Sequence, residues 1–247
     1  MRFVLFFTYI WAQNFLSMGA RLQATQSTLI CPTDRAASDV SLDRTQKAGL
    51  IGFFSWGWTP HFATGIEIAY QGTGQRFYGI GVNGDNYTAQ LNLHYLRGGL
   101  SLQPQYAKGR WGVWSSLSPG LSFLTQAEML YQGDSLPRGK LTTPQVIQTT
   151  LSYLDQSTDP NDRLILTRMH QRIIPVIHFA GGMRILLAPQ VWLLGLISYE
   201  RSLGDIERKN FRPRPGEAPI YDNRRRAVQY QLVGLQIGLQ YEVSTRR

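Results

Sequence analysis

The chain has 247 residues, enough for one large domain or two small ones, and only 17% of them are Asp, Glu, Lys or Arg. About a quarter is usual in soluble domains, so few charges beside an ordinary 43% apolar content argue against a typical cytosolic enzyme. The formal charge of +9 comes without a basic stripe interleaved with aromatics on one face, which speaks against a nucleic-acid partner.

The N-terminus reads MRFVLFFTYIWAQ. Arg2 supplies a minimal positive end, Phe3 to Trp11 a short apolar core and Ala12 a small residue for cleavage. Residues 1–12 are therefore expected to be a secretory signal peptide, leaving 13–247 as the folded domain. The apolar run is too short to span a bilayer as a helix, which takes about 20 residues. The single cysteine, Cys31, forbids an internal disulfide.

Strict alternation of apolar and small or polar residues marks β-strands with two unlike faces. The first strand is Phe15 to Thr25, with Leu16, Met18, Ala20 and Leu22 opposite Ser17, Gly19, Arg21 and Gln23. A polar stretch rich in Thr, Ser and Asp follows over 26–46. The second strand, Lys47 to Thr59, puts Leu50, Phe54, Trp56 and Trp58 on one face. Pro60-His61 is a tight turn into the third strand, Phe62 to Gln71, where Phe62, Ile66, Ile68 and Tyr70 oppose Gly65, Glu67 and Ala69.

A Gly/Asn-rich connection covers 72–86, with some strand character in FYGIGV. The fourth strand is long, Tyr87 to Tyr106. Leu91 and Leu93 stand on odd positions but Leu96, Leu100 and Leu102 on even ones, so a bulge near Tyr95 is expected to reset the phase. A turn at Arg97-Gly98-Gly99 is the other way to do so. Lys108-Gly109 turns the chain into the fifth strand, Arg110 to Leu124, with Trp111, Val113, Leu117, Leu121 and Phe123 outermost.

Residues 125–168 lack alternation and hold one helix-like piece, Pro144 to Asp155. The sixth strand is Gln171 to Leu187, with Ile173, Ile177, Phe179, Met183 and Ile185 opposite His178, Ala180, Gly182 and Arg184. Ala188-Pro189 turns into the seventh, Gln190 to Leu203, where Trp192, Leu194 and Leu196 make both faces apolar. A charged, proline-rich stretch over 204–224 leads to the eighth strand, Arg225 to Val243.

Eight strands whose connections alternate long and short predict an all-β fold: an eight-stranded, antiparallel, up-and-down transmembrane β-barrel with short periplasmic turns and long external loops. The strands run to about 10–15 residues, against about 5–6 for soluble proteins. On this reading Leu50, Ile66, Ile68, Leu100, Leu121, Ile177, Val233, Leu235, Ile237 and Leu239 face lipid. Trp56, Trp58, Trp111 and Tyr241 belong to interface girdles. Arg21, Glu67, His178, Arg184, Glu200, Gln236, Gln240 and Glu242 point into a lumen just wide enough for side chains to fill. Buried charges must pair, so Arg21 and Arg184 are expected to pair with Glu67 and Glu200. A soluble lipocalin-like barrel would reverse the two faces.

The segments FLSMGARLQ, AGLIGFFSWGW, FATGIEIAYQGTG, YLRGGLSLQPQY, WGVWSSLSPGLSFL, HFAGGMRILL, SYERSLGDI and VGLQIGLQYEV, in this order, resemble the PorT-like outer-membrane β-barrel family. The resemblance spans essentially the whole chain after residue 12. It implies an eight-stranded barrel in the bacterial outer membrane. The family's best-known member takes part in protein secretion across that membrane, and most members have no assigned role.

Motifs for chemistry are absent from the sequence. There is no GxSxG, and the glycine-rich GTGQRF and GIGVNG lack a following G-K-[ST]. His61, His94, His170 and His178 show no metal-ligand spacing. The expectation is a non-enzymatic barrel without metal or cofactor. Its partners are expected to be outer-membrane lipid and lipopolysaccharide, whose anionic groups answer the basic charge, and a protein partner reached through the 125–168 loop, the longest connection. A component of a secretion or assembly system and an outer-membrane enzyme are the alternatives.

Overall fold

The computed structural model describes residues 15–30, 40–80, 86–133, 139–142, 172–206 and 228–244. They form ten strands: β1 (Phe15–Ile30), β2 (Val40–Asp43), β3 (Thr45–Thr59), β4 (Phe62–Ile80), β5 (Asn86–Lys108), β6 (Trp111–Gly133), β7 (Gly139–Thr142), β8 (Ile173–Ala188), β9 (Val191–Ser202) and β10 (Gln229–Ser244). The expected signal peptide, Cys31, the helix-like piece at 144–155 and His170 lie outside the described residues.

Eight of these strands close into an antiparallel up-and-down barrel. Each pairs with its neighbour in chain order, and β1 pairs with β10 to complete the ring. Tracing partners once around the wall shows the stagger: Leu16 faces Trp56, then Thr64, Leu102, Leu117, Phe179, Tyr199 and Val233, which returns to β1 at Gln26, ten residues above the start. Strands in such a barrel tilt by about 35–45°.

Three hairpins are tight and lie at the same end as Phe15 and Ser244. In the third, Gln190 follows Pro189 at φ 70°, the arrangement of a type II turn, where the third residue must take a left-handed conformation. Gly109 takes φ 64° in the second. At the other end β4, β5 and β6 run beyond the ring. β6 continues ten residues past Phe123, its last partner on β8, which is about 30 Å of strand. β2 adds to β4 and β7 to β6, so a five-stranded sheet overhangs one side of the long-connection end. Much of the 72–86 and 125–142 sequence expected as loop is therefore strand, because pairing with long neighbours outweighs weak alternation.

The phase of β5 needs no resetting. Leu91, Leu93, Tyr95, Arg97 and Ser101 all face inward, and Leu96, Leu100 and Leu102 outward, on one unbroken alternation. The register shift opposite His94 and Tyr95 lies in β6, where Thr125 is the extra residue. Leu91 and Leu93 are apolar because the interior itself is apolar at that height.

Candidate functional site in the barrel interior

The interior is filled in layers. On β9, inward residues from the short-turn end read Trp192, Leu194, Leu196, Ser198, Glu200, Ser202; on β8, from the same end, they read Arg184, Gly182, Ala180, His178, Val176, Ile174. Polar, apolar, ionic and again apolar levels follow one another.

The ionic level gathers side chains from six strands. Arg21 Nη2 on β1 donates to Glu67 Oε1 on β4 at 2.6 Å. Arg97 Nη2 on β5 donates to Glu67 Oε2 at 3.1 Å. The other arm of Arg97, Nη1, lies 3.1 Å from Glu200 Oε2 on β9, an ion pair off the hydrogen-bond line. Glu200 Oε1 accepts from the Tyr230 hydroxyl at 2.7 Å and from the Gln71 amide. Two guanidiniums and two carboxylates, all at most 1% exposed, form a chain of zero net charge, which is how buried charges are tolerated.

His178 and Gln236 complete this level. Arg21 Nη1, which can only donate, fixes Gln236 Oε1 toward itself at 3.1 Å. The Gln236 amide nitrogen then faces His178 Nε2 at 3.2 Å, so Nε2 is the acceptor and Nδ1 carries the proton. That nitrogen lies 3.4 Å from Glu67 Oε2. The imidazole thus enters the network neutral, with its tautomer set by Arg21 through a glutamine.

Below, Phe53, Trp114, Ala180, Leu194 and Leu196 form an apolar septum. The Arg21 guanidinium packs on its upper side, 5.0 Å from the Phe53 ring and 4.9 Å from Trp114, a cation–π contact in a dry setting. Nearer the short turns, Arg184 Nη1 donates to Gln105 Oε1 at 2.9 Å and to Glu242 Oε2 at 3.1 Å, and the guanidinium lies 4.2 Å over Trp192. Above the ionic level, Leu29, Leu91, Leu93, Tyr95, Ile174, Val176, Ile206 and Leu232 belong to the upper apolar cluster. Among the described residues, buried side chains occupy the interior at all four levels.

The sequence-predicted lumen residues Arg21, Glu67, His178, Arg184, Glu200, Gln236 and Gln240 are all buried in the interior. Their pairing differs from expectation in one respect. Glu200 pairs with Arg97, not with Arg184. Arg184 stands opposite Leu194, six residues down the strand from Glu200, a separation of about 20 Å. Its carboxylate is Glu242. Arg97 is the central member that sequence reasoning passed over, since Arg-Gly-Gly reads equally well as a turn. The lone charge on the inward row of an otherwise uncharged strand half was its signal.

On the outside, Leu50, Ile66, Ile68, Leu100, Leu121, Val233, Leu235, Ile237 and Leu239 are exposed, up to 69% at Leu100, and Ile177 is half-exposed. Trp56, Trp58, Trp111 and Tyr241 are exposed toward the short-turn end. A cavity of about 660 Å³ lies in this outer wall, between Leu22, Gly181, Gly195, Ile197, Leu235 and Ile237. No group of His, Cys, Asp and Glu among the described residues could hold a metal ion.

No protein-family model matches the chain, and no curated protein matches it. Among solved structures it is similar to Neisserial surface protein A, at 9% identity over 92% of this chain and 96% of that one, with a TM-score of 0.39. It is also similar to outer membrane protein OprG from Pseudomonas aeruginosa, at 11% identity over 94% and 96% with a TM-score of 0.39. A third is Ail, the attachment invasion locus protein of Yersinia pestis, at 8% identity over 91% and 98% with a TM-score of 0.37.

Proposed function

We propose that the chain is a non-enzymatic β-barrel protein of the bacterial outer membrane, with a closed lumen, acting through its long-connection end. The observation that carries this reading is the outer wall. On β10 the outward residues Val233, Leu235, Ile237, Leu239 and Tyr241 are apolar and exposed, while Gln229 and Gln231 precede them. Those nine residues, tilted as such strands are, cover about 20–25 Å, the height of an outer-membrane barrel's apolar band. A continuous apolar belt of this size is not left facing water by a monomeric soluble protein. The reversed, lipocalin-like arrangement finds no support in an outer wall that is apolar and exposed and an interior whose apolar levels alternate with buried ion pairs, glutamines and serines.

The overhanging sheet β2-β4-β5-β6-β7 supports a binding role at the external end, and β7 and the last turns of β6 fall within the 125–168 segment expected to meet a protein partner. The eight ordered segments support membership of the PorT-like group, and with it the alternative of a part in secretion. The test is refolding of the purified chain into phosphatidylcholine vesicles. A heat-modifiable band on a gel, protease protection of the strands and no ion conductance across a planar bilayer are expected. A soluble monomer with no affinity for vesicles would overturn the reading, and steady conductance would overturn the closed lumen.

A further inference from the structure

His178 sits in the ionic level as a neutral ring, and the bonds around it leave no acceptor for a second ring proton. The side chain is fully buried. Arg21 Nη1 on β1 donates to Gln236 Oε1 on β10 at 3.1 Å. That bond turns the Gln236 amide nitrogen toward His178 Nε2 on β8, at 3.2 Å. An amide nitrogen only donates, so Nε2 has to accept. The charged and titratable groups of this level are Glu67 on β4, 3.4 Å from His178 Nδ1, Arg97 on β5, Arg21 on β1, Glu200 on β9 and Tyr230 on β10. Tyr95 on β5 stands against them, its ring 5.6 Å from that of Tyr230. Ser118 on β6, opposite His178 in register, adds no charge. Two guanidiniums and two carboxylates already balance.

A proton on Nε2 changes two things at once. It gives the level a net positive charge, in a setting where charge has to be paired. It also sets an N–H against the amide hydrogens of Gln236. Turning the amide half round meets the charged ring with Oε1, but then presents the amide nitrogen to Arg21 Nη1, which can only donate. Whichever way the amide lies, one pair of donors is opposed. The bond at stake reaches beyond the histidine. Arg21 and Gln236 belong to β1 and β10, the two strands that close the ring.

We infer that His178 is an acid-sensitive latch on the closing strands of the barrel. With Nε2 bare it holds Gln236 toward Arg21, and a proton on Nε2 releases the side-chain bond between β1 and β10. A histidine in an unfolded chain takes up that proton below about pH 6.5. The folded level offers it no acceptor, so the unfolded state binds more protons in this window and stability falls as the pH falls. The inference rests on the closed ring and its interior, not on what surrounds the outer wall.

Urea unfolding of the refolded chain in detergent micelles at pH 7.5 and pH 5.5, followed by gel mobility, tests it. A histidine that stays bare in the fold should lower the folding equilibrium constant by up to about tenfold between those two pH values. His178→Gln removes the proton site and should bring their ratio close to one. Gln236→Glu gives both Arg21 and a doubly protonated ring an acceptor, and should abolish or reverse the loss. His61→Gln, an exposed ring near the short turns, should leave the loss as it is. Nitrogen-15 spectra of the histidine-labelled wild-type barrel read the ring without any variant. They should show a histidine with a bare Nε2 and a proton on Nδ1 at pH 7.5. A wild-type spectrum without such a ring overturns the latch. So does a wild type with no acid loss, or a loss that persists in folded His178→Gln or folded Gln236→Glu.

Discussion

Glu67→Gln isolates the ionic level of the lumen. Glu67 is 0% exposed and touches Arg21, Arg97 and His178 at once. The glutamine keeps the shape and one acceptor oxygen but leaves the level with an excess positive charge. Breaking a buried ion pair by removing one partner costs about 3–5 kcal/mol. Here the lower part of that range applies, since Arg97 keeps Glu200, and Arg21 keeps Gln236 and the rings of Phe53 and Trp114. About 3 kcal/mol is more than a hundredfold in the folding equilibrium. Urea unfolding of the vesicle-inserted barrel, followed by tryptophan fluorescence and gel mobility, reads this directly. The double variant Arg21→Met, Glu67→Gln restores neutrality around Arg97 and Glu200 and should recover most of the loss. A single variant within about 1 kcal/mol of wild type would refute the reasoning, because buried, uncompensated charge is the cause invoked. So would a double variant whose losses simply add.

Arg184→Leu should cost less than Glu67→Gln, about 1–3 kcal/mol in the same assay, because Glu242 is 24% exposed and can hydrate once alone. Leu235→Arg, at the middle of the outward row, should cost roughly 2–4 kcal/mol of insertion, and Gln229→Arg at its edge about 0–1; equal costs at both would deny a depth-dependent outer face. Gly19→Val should prevent closure in refolding gels, since a Cβ there would stand 2.2 Å from the Leu239 carbonyl oxygen and 2.5 Å from the Phe53 ring. Gly52→Ala meets nothing within 4 Å and should be neutral or stabilising by about 0.5–1 kcal/mol; a destabilised Gly52→Ala would place that glycine against something the outer wall does not offer.

The number and order of the eight barrel strands follow from patterns within about ten residues, and those are local properties of the sequence; β2 and β7 lie in stretches expected as connections. VGLQIGLQYEV alternates without a break because one of its faces is apolar throughout and the other is built of Gly, Gln and Glu. Strand ends were less legible. Gln71 to Ile80 and Leu124 to Gly133 extend the sheet by pairing with β5, and beyond the strand character of FYGIGV little in their own alternation announces it. The interior was legible as a set of inward residues but not as a set of partners. Which arginine meets which glutamate depends on the ten-residue stagger of the wall, and a stagger belongs to all eight strands together. Arg97 shows a second limit: its strand carries leucines on both faces because the upper lumen is apolar, so apolar phase alone misplaced the turn of the pattern.

The seam between β1 and β10 sets a condition on time as well as on shape. Leu16 meets Val243 and Arg21 meets Gln236, contacts that join the first strand to the last. Every other pair in the wall can form as a hairpin between neighbours, but this one waits for the whole chain. Until then both edges of an apolar, unpaired sheet are open to any other strand, and closure carries the slow kinetics of long-range pairing. A nascent chain of this design therefore has to be kept from its own kind until β10 arrives, and the ionic level of the lumen is assembled only at that last step.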